Sequence, residues 1–276
     1  MAYLLANNTI ISEAEANLSS FVLEASFVIK HSVWFGFGGI PLFKENLSVI
    51  EEEFKALGHH LPPLFKNHRE LFRLTKRVLN KNRFYRTGLI SFHFYFSAEK
   101  VDFLVTAKAF SSFDFQMNEQ GLFISASKKI QFSQISESRF ARAIFWEQVA
   151  AQNTNRKHTL AIILNENQMV CEGVASNVFM VKENVLFTPS INSGCYADVL
   201  RSEIIRLAKE INMKVVESED IEIKHIRQMN EVFFASEAQG IQWILGFENR
   251  RYVHEYTDRI YSGLNNFLEK KVEIQK

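Results

Sequence analysis

Cysteine is nearly absent. The chain of 276 residues holds two, Cys171 and Cys195, without metal-ligand spacing and too few for a disulfide framework, so a reducing compartment is expected. Proline and glycine are also scarce, at 4 and 11, which excludes a collagen-like, low-complexity or disordered majority. Neither sign of charge is in excess. Thirty-two basic residues face 31 acidic ones, a net charge of +1, and nothing in that balance marks a partner such as nucleic acid or an anionic membrane surface. No run of about 18 apolar residues occurs, and the N-terminal stretch lacks a basic segment followed by a long apolar one. The expectation is a soluble, cytoplasmic protein with no membrane span. G-x-G-x-x-G, P-loop, H-E-x-x-H and G-x-S-x-G patterns are missing as well.

What the chain does have is 47% hydrophobic residues, 26 of its residues being phenylalanine, and the length of one large or two modest domains. Phe92, Phe94 and Phe96 alternate, which reads as a phenylalanine-rich core or dimer interface. Apolar stretches at 9–11 and 27–37, the second punctuated by GFGG at 36–39, suggest a β-hairpin or meander. After Pro41, Phe43, Leu47, Ile50, Phe54 and Leu57 follow the spacing of an amphipathic helix that stops at Gly58. Leu71, Leu74 and Val78 predict a second helix, and strands are expected at 89–96 and 101–109. A polar stretch at 116–121 divides a small α+β domain, 1–115, from a larger α/β domain, 116–276. In the latter, strands are read at 122–130, 160–164, 169–174, 178–181, 185–188, 214–216 and 232–235. Helices are read at 137–152, at 197–211 and from about residue 256.

Residues 171–194 (CEGVASNVFMVKENVLFTPSINSG), Arg201, 207–217 (LAKEINMKVVE) and 230–244 (NEVFFASEAQGIQWI) carry a resemblance. In order and spacing they are similar to the class IV aminotransferases, pyridoxal-phosphate (PLP) enzymes that include branched-chain aminotransferases, D-amino acid aminotransferases and 4-amino-4-deoxychorismate lyases. The resemblance is specific over about 155–247 and fainter in GGIPLFKENL at 38–47. It implies an α+β (mixed α/β) fold, a small domain followed by a barrel-like one, in a homodimer.

The resemblance also implies a set of site residues, and several positions depart from it. The family's lysine, which holds the cofactor aldehyde, lies a little over thirty residues before the glutamate matched by Glu172. That position falls on Ser138, Arg139 or Phe140. Arg139 cannot substitute, because a guanidinium with a pKa above about 12 keeps its proton at neutral pH. Lys128 and Lys129 lie about ten residues too early. The family's H-L-x-R becomes Asn46-Leu47-Ser48-Val49, and its G-I-T-R at the phosphate helix becomes Asp198-Val199-Leu200-Arg201. Asp198 suits a helix N-cap; its carboxylate would compete with a phosphate. Ser236 and Glu237 stand where the family supplies another phosphate contact, and Glu237 adds a second anion. Glu172 and Asn177 match the family pattern, although Arg139 or Arg142 could hold Glu172 in a structural ion pair. The Y-G-D-G-x-F-E-T type motif has no counterpart in 25–32.

Other residues are weaker candidates. His59 and His60 follow a helix end, His93 alternates on a strand, and Ser138, Ser176 and Ser236 would be nucleophiles only beside a base. The expectation is a homodimer that keeps the family fold and has lost PLP-dependent catalysis, with Glu172, Asn177, Asp198, Val199, Leu200, Ser236 and Glu237 as vestiges of a cofactor site. No cofactor and no metal are expected, and a small-molecule ligand in the interdomain cleft is the partner considered. The alternative is an active PLP-dependent aminotransferase or lyase using a displaced lysine.

Overall fold

The computed structural model describes residues 2–16, 21–129, 139–152 and 158–275, the side chains of 126–129 and 139–141 excepted. The chain forms two units, one of Met1–Phe115 with Phe267–Lys276, the other of Gln116–Asn266.

In the first unit, β1 (Tyr3–Ala6), β2 (Thr9–Ser12) and β3 (Phe27–Phe35) precede helices α1 (Phe43–Ala56) and α2 (His68–Lys81), and β4 (Gly88–Phe96) and β5 (Val101–Ala109) follow. The sheet order is β2-β1-β5-β4-β3. Both apolar stretches form strands in antiparallel pairs, β2 with β1 and β3 with β4. GFGG does make a tight turn, with Phe37 and Gly38 at φ 54° and 79° and Gly36 bridged to Gly39. Pro41 then offers no N–H for a returning strand, and the chain enters α1 instead.

Phe43, Leu47, Ile50 and Phe54 are the buried stripe of α1. The helix ends as its sequence suggests: Gly58 takes φ +70° and His59 N donates to Phe54 O, a left-handed turn that only glycine adopts cheaply. Asn67 caps α2 by accepting from Glu70 N at 3.1 Å. Asn82 closes it, its side chain exchanging hydrogen bonds with the Tyr3 N–H and C=O at 2.8 and 2.7 Å. Phe92, Phe94 and Phe96 are 0–1% exposed and meet Phe54, Phe65 and Phe103 at ring distances of 5.0–6.4 Å. The alternating phenylalanines are therefore this unit's own core. They are not surface available to a second chain.

The second unit contains β6 (Leu122–Lys129), α3 (Arg139–Gln152), β7 (Thr159–Leu164), β8 (Val170–Gly173), β9 (Asn177–Lys182), β10 (Val185–Pro189), α4 (Val199–Glu210), β11 (Lys214–Ser218), the single turn α5 (Ile223–Ile226), β12 (Glu231–Ser236), β13 (Gly240–Phe247) and β14 (Arg250–Arg251). The long helix α6 (Glu255–Ile274) starts in this unit. Its first turn is fixed by Glu231, whose carboxylate accepts from Tyr256 N, Thr257 N and Thr257 Oγ1. The nine-stranded mixed sheet runs β11-β10-β9-β12-β13-β6-β7-β8, with β14 beside β13.

Two apolar clusters cover its two sides. Ile162, Leu164, Val170, Val178, Met180, Phe234 and Ile244 belong to one, whereas Ala161, Ile163, Trp146, Val149 and Tyr196 form the other. Adjacent residues of β7 thus divide between the faces, as a strand's two-residue period requires. Among the described residues no helix is long and apolar enough to cross a membrane.

Candidate functional site

A register shift in the β7–β8 pair decides the site. Leu164 pairs with Val170 and Ile163 with Glu172, so two steps along β8 correspond to one along β7. The bulge at Cys171 sends Val170 into the first cluster and turns Glu172 to the Ile163 side, where α3 packs. Gly173 follows because an added Cβ would lie 2.5 Å from the Phe234 ring and 2.6 Å from Ser176 Oγ.

Glu172 is fully buried and accepts three hydrogen bonds. Arg142 Nη1 donates to Oε2 at 2.6 Å, Trp146 Nε1 to Oε1 at 2.9 Å, and the Tyr196 backbone N–H to Oε2. Arg142 and Trp146 are one helical turn apart on α3 and share its inner face. The guanidinium, itself 1% exposed, also donates to the Gly194 carbonyl. Burial pushes the Glu172 pKa up, and Arg142, Trp146 and Tyr196 N–H oppose that rise. All three contacts are donors, which matches a carboxylate in its ionised form.

Tyr196 links this cluster to a second one. Asn177, at the start of β9, donates through Nδ2 to Tyr196 O, and its Oδ1 accepts from Asp198 N at 2.9 Å. Asp198 is the N-cap of α4. Its Oδ1 accepts from Leu200 N at 3.0 Å and, from the turn after β12, from Glu237 N at 2.9 Å. Tyr196 Oη lies 3.3 Å from Asp198 Oδ2. Backbone N–H groups from a helix N-terminus and a neighbouring turn converge on one oxygen, the arrangement of an anion cup, and the anion is the protein's own carboxylate.

The structure therefore joins Glu172, Asn177, Asp198, Leu200 and Glu237 in one hydrogen-bonded chain through Tyr196, and Val199 opens α4 beside it. Ser236 is outside that chain, its Oγ accepting from Gln239 N. Arg201 is turned away, donating to Pro189 O and Glu217, each at 2.8 Å. Asn46 is buried in the first unit, 2.6 Å from His31 Nε2. Ser138 lies outside the described residues; Arg139 and Phe140 begin α3. Lys128 and Lys129 pair through β6 with Ile163 and Leu164.

Trp146 and Tyr196 were not legible as site residues. The i, i+4 spacing of Arg142 and Trp146 was the available signal, but it names no partner until the bulge orients Glu172.

Of the weaker candidates, His93 Nε2 is 3.1 Å from Thr106 Oγ1, and burial followed by the charge of Lys30 lowers its pKa, keeping it neutral. The His59 ring packs on Phe96. Burial pushes both Cys171 and Cys195 up, so neither thiol is an ionised nucleophile at neutral pH. Among the described residues no three His, Cys, Asp or Glu side chains are grouped to hold a metal ion.

The model of amino-transferase class IV matches residues 85–245. The chain belongs to the class IV aminotransferases. Curated relatives in this family include a probable branched-chain-amino-acid aminotransferase of Thermotoga maritima, 38% identical over 80 residues, which are 29% of each chain. A putative enzyme of the same name from Methanocaldococcus jannaschii is 30% identical over 114 residues, 40% of this chain and 39% of that one. The matched stretches thus span well under half of those relatives. Solved structures extend the likeness in fold across the chain. The branched-chain amino acid aminotransferase of Escherichia coli has a TM-score of 0.81 at 17% identity, covering 98% of this chain and 95% of that one. The Thermobaculum terrenum enzyme in its PLP-form has a TM-score of 0.80 at 17% identity, covering 98% and 94%.

Proposed function

We propose that this class IV aminotransferase-fold protein does not carry out PLP-dependent catalysis and acts as a binding or regulatory protein. The observation that carries the reading is the Asp198 carboxylate, held by the Leu200 and Glu237 N–H groups at the N-terminus of α4. A cofactor phosphate with nearly two negative charges needs those donors for itself. It would also meet Asp198, and a pair of unit charges ~4 Å apart costs ~4 kcal/mol at an effective dielectric of ~20. The second donor belongs to Glu237, whose own carboxylate is buried, the residue being 1% exposed. Arg201 is held by Pro189 O and Glu217. Glu172, the match to the family's pyridine-nitrogen partner, already accepts from Arg142, Trp146 and Tyr196. These residues do not fit PLP.

Incubation with PLP, borohydride reduction and mass spectrometry test the reading. No stoichiometric pyridoxyl adduct is expected, and an adduct on one lysine, lost together with transaminase or lyase activity when that lysine becomes alanine, would reverse the conclusion. One observation favours that second reading, an active enzyme with a displaced lysine: the register puts Lys128, Ile163 and Glu172 in one row across β6, β7 and β8. At about 4.8 Å per strand, the Lys128 backbone is roughly 10 Å from that of Glu172.

The same proposal places the protein in the cytoplasm as a homodimer. Because the core phenylalanines are internal, the dimer contact must use other apolar groups, and Phe27, Val28, Tyr85 and Phe113 are 43–69% exposed. Light scattering at micromolar concentration is expected to return the dimer mass; the monomer mass alone would remove this part.

A further inference from the structure

Within the first unit, a cavity of about 530 Å³ opens where the N-terminal ends of α1 and α2 and the last turn of α6 meet. Its size is that of a small-molecule site. Pro41, Phe43, Phe72 and Ile274 give it apolar walls, with the Phe43 and Phe72 rings edge to face at 5.1 Å. Its charged lining is mostly basic: Lys44, Arg69 and Lys271 against a single acid, Glu45, with His68 beside them.

Glu45 is already paired with Lys271, and His68 with Glu51 at 3.1 Å. Among the described residues, Lys44 and Arg69 have no ion pair.

The two helix ends contribute a second, independent observation. Three of the long helices have a side chain accepting a first-turn N–H group: Asn67 for α2, Asp198 for α4 and Glu231 for α6. The residue at the N-cap of α1 is Leu42, with no side-chain cap. Phe43 N donates to Ile40 O, whereas the N–H groups of Lys44 and Glu45, both lining the cavity, have no side-chain acceptor among the described residues. Helix α2 carries Arg69 in its first turn beside Glu70, a cation at the end of a helix dipole that disfavours it. An uncapped helix start and an arginine placed against a dipole are both met by an anion supplied from outside.

We propose that this cavity binds an organic anion with an apolar body, a carboxylate or sulfonate whose charged group is held by Lys44, Arg69 and the α1 N-terminus while its hydrocarbon or aromatic part lies against Phe43, Phe72 and Ile274. The site is independent of the Asp198 cluster, so this proposal stands or falls separately from the loss of PLP catalysis.

The probes are 1-anilinonaphthalene-8-sulfonate, its neutral counterpart N-phenyl-1-naphthylamine, and decanoate. The native protein is expected to bind the sulfonate saturably at one site, with decanoate displacing it. Lys44→Gln/Arg69→Gln is expected to weaken sulfonate binding at least about tenfold, as loss of charge-assisted contacts requires, and to leave binding of the neutral probe unchanged. Phe72→Ala should weaken both. Lys44 and Arg69 are exposed, so the double variant should keep its circular dichroism and melting temperature; if it does not, the single variants are read instead. Equal affinity for the neutral and anionic probes, sulfonate binding indifferent to Lys44 and Arg69, or a change of oligomeric mass in place of a change in probe affinity would each overturn the proposal, the last by making this face a contact between copies of the chain.

Discussion

Arg142→Met is expected to destabilise the protein by about 3–5 kcal/mol, the largest effect of any single change considered, because it leaves the Glu172 carboxylate buried beside two N–H donors and no cation. Glu172→Gln alone should also destabilise, since one of its amide ends must face a donor. The double variant should be clearly less damaged than the sum of the two, with a coupling of about 2–3 kcal/mol. Urea unfolding of the four proteins supplies the cycle. Additive losses would mean that the 2.6 Å contact between Arg142 and Glu172 contributes little beyond its separate parts, and the description of Glu172 as a structural ion-pair member would be withdrawn.

The second prediction concerns the anion cup. Asp198→Gly with Leu200→Thr is expected to lower stability by about 0.5–2 kcal/mol through loss of the N-cap, toward the lower figure if glycine serves as the cap. It should also create phosphate binding that is not expected of the native protein. The Leu200 and Glu237 N–H groups, released from Asp198, become available, and threonine adds a hydroxyl. Melting curves with and without inorganic phosphate give the readout: a phosphate-dependent rise in Tm confined to the double variant. An equal rise in the native protein would show that Asp198 does not exclude anions.

Local features of the fold could be read from local chemistry. The α1 stripe, its stop at Gly58, the strands β4 and β5 and the Asp198 cap each depend on residues within a few positions of one another. Partner choice could not be read in the same way. The strand β3 pairs with β4, more than fifty residues later, because Pro41 diverts the chain into a helix first. The near-continuous apolar run of β13, GIQWILGF, has no clear two-residue alternation to declare it a strand, and it was missed. At the site, sequence identified Glu172, Asn177, Asp198 and Glu237 as a group only through the family resemblance. It left the partner of Glu172 open between Arg139 and Arg142, since the choice depends on the rotation of α3 and on the bulge at Cys171, neither of which is written in a short window of residues. The contribution of Glu237 was read from its side chain, but the contact found at Asp198 is made by its backbone.

The carboxylate at the head of α4 has a further consequence that follows from mass action. A protein stabilised by a dissociable ligand gains a term that grows with the logarithm of free ligand over its Kd, so its folded fraction follows ligand supply. Asp198 is joined covalently to the helix it caps and cannot be diluted, depleted or competed away at fixed composition. With the cup filled from within, the folded fraction of this chain should be the same in cells starved of the vitamin precursor of PLP as in cells supplied with it.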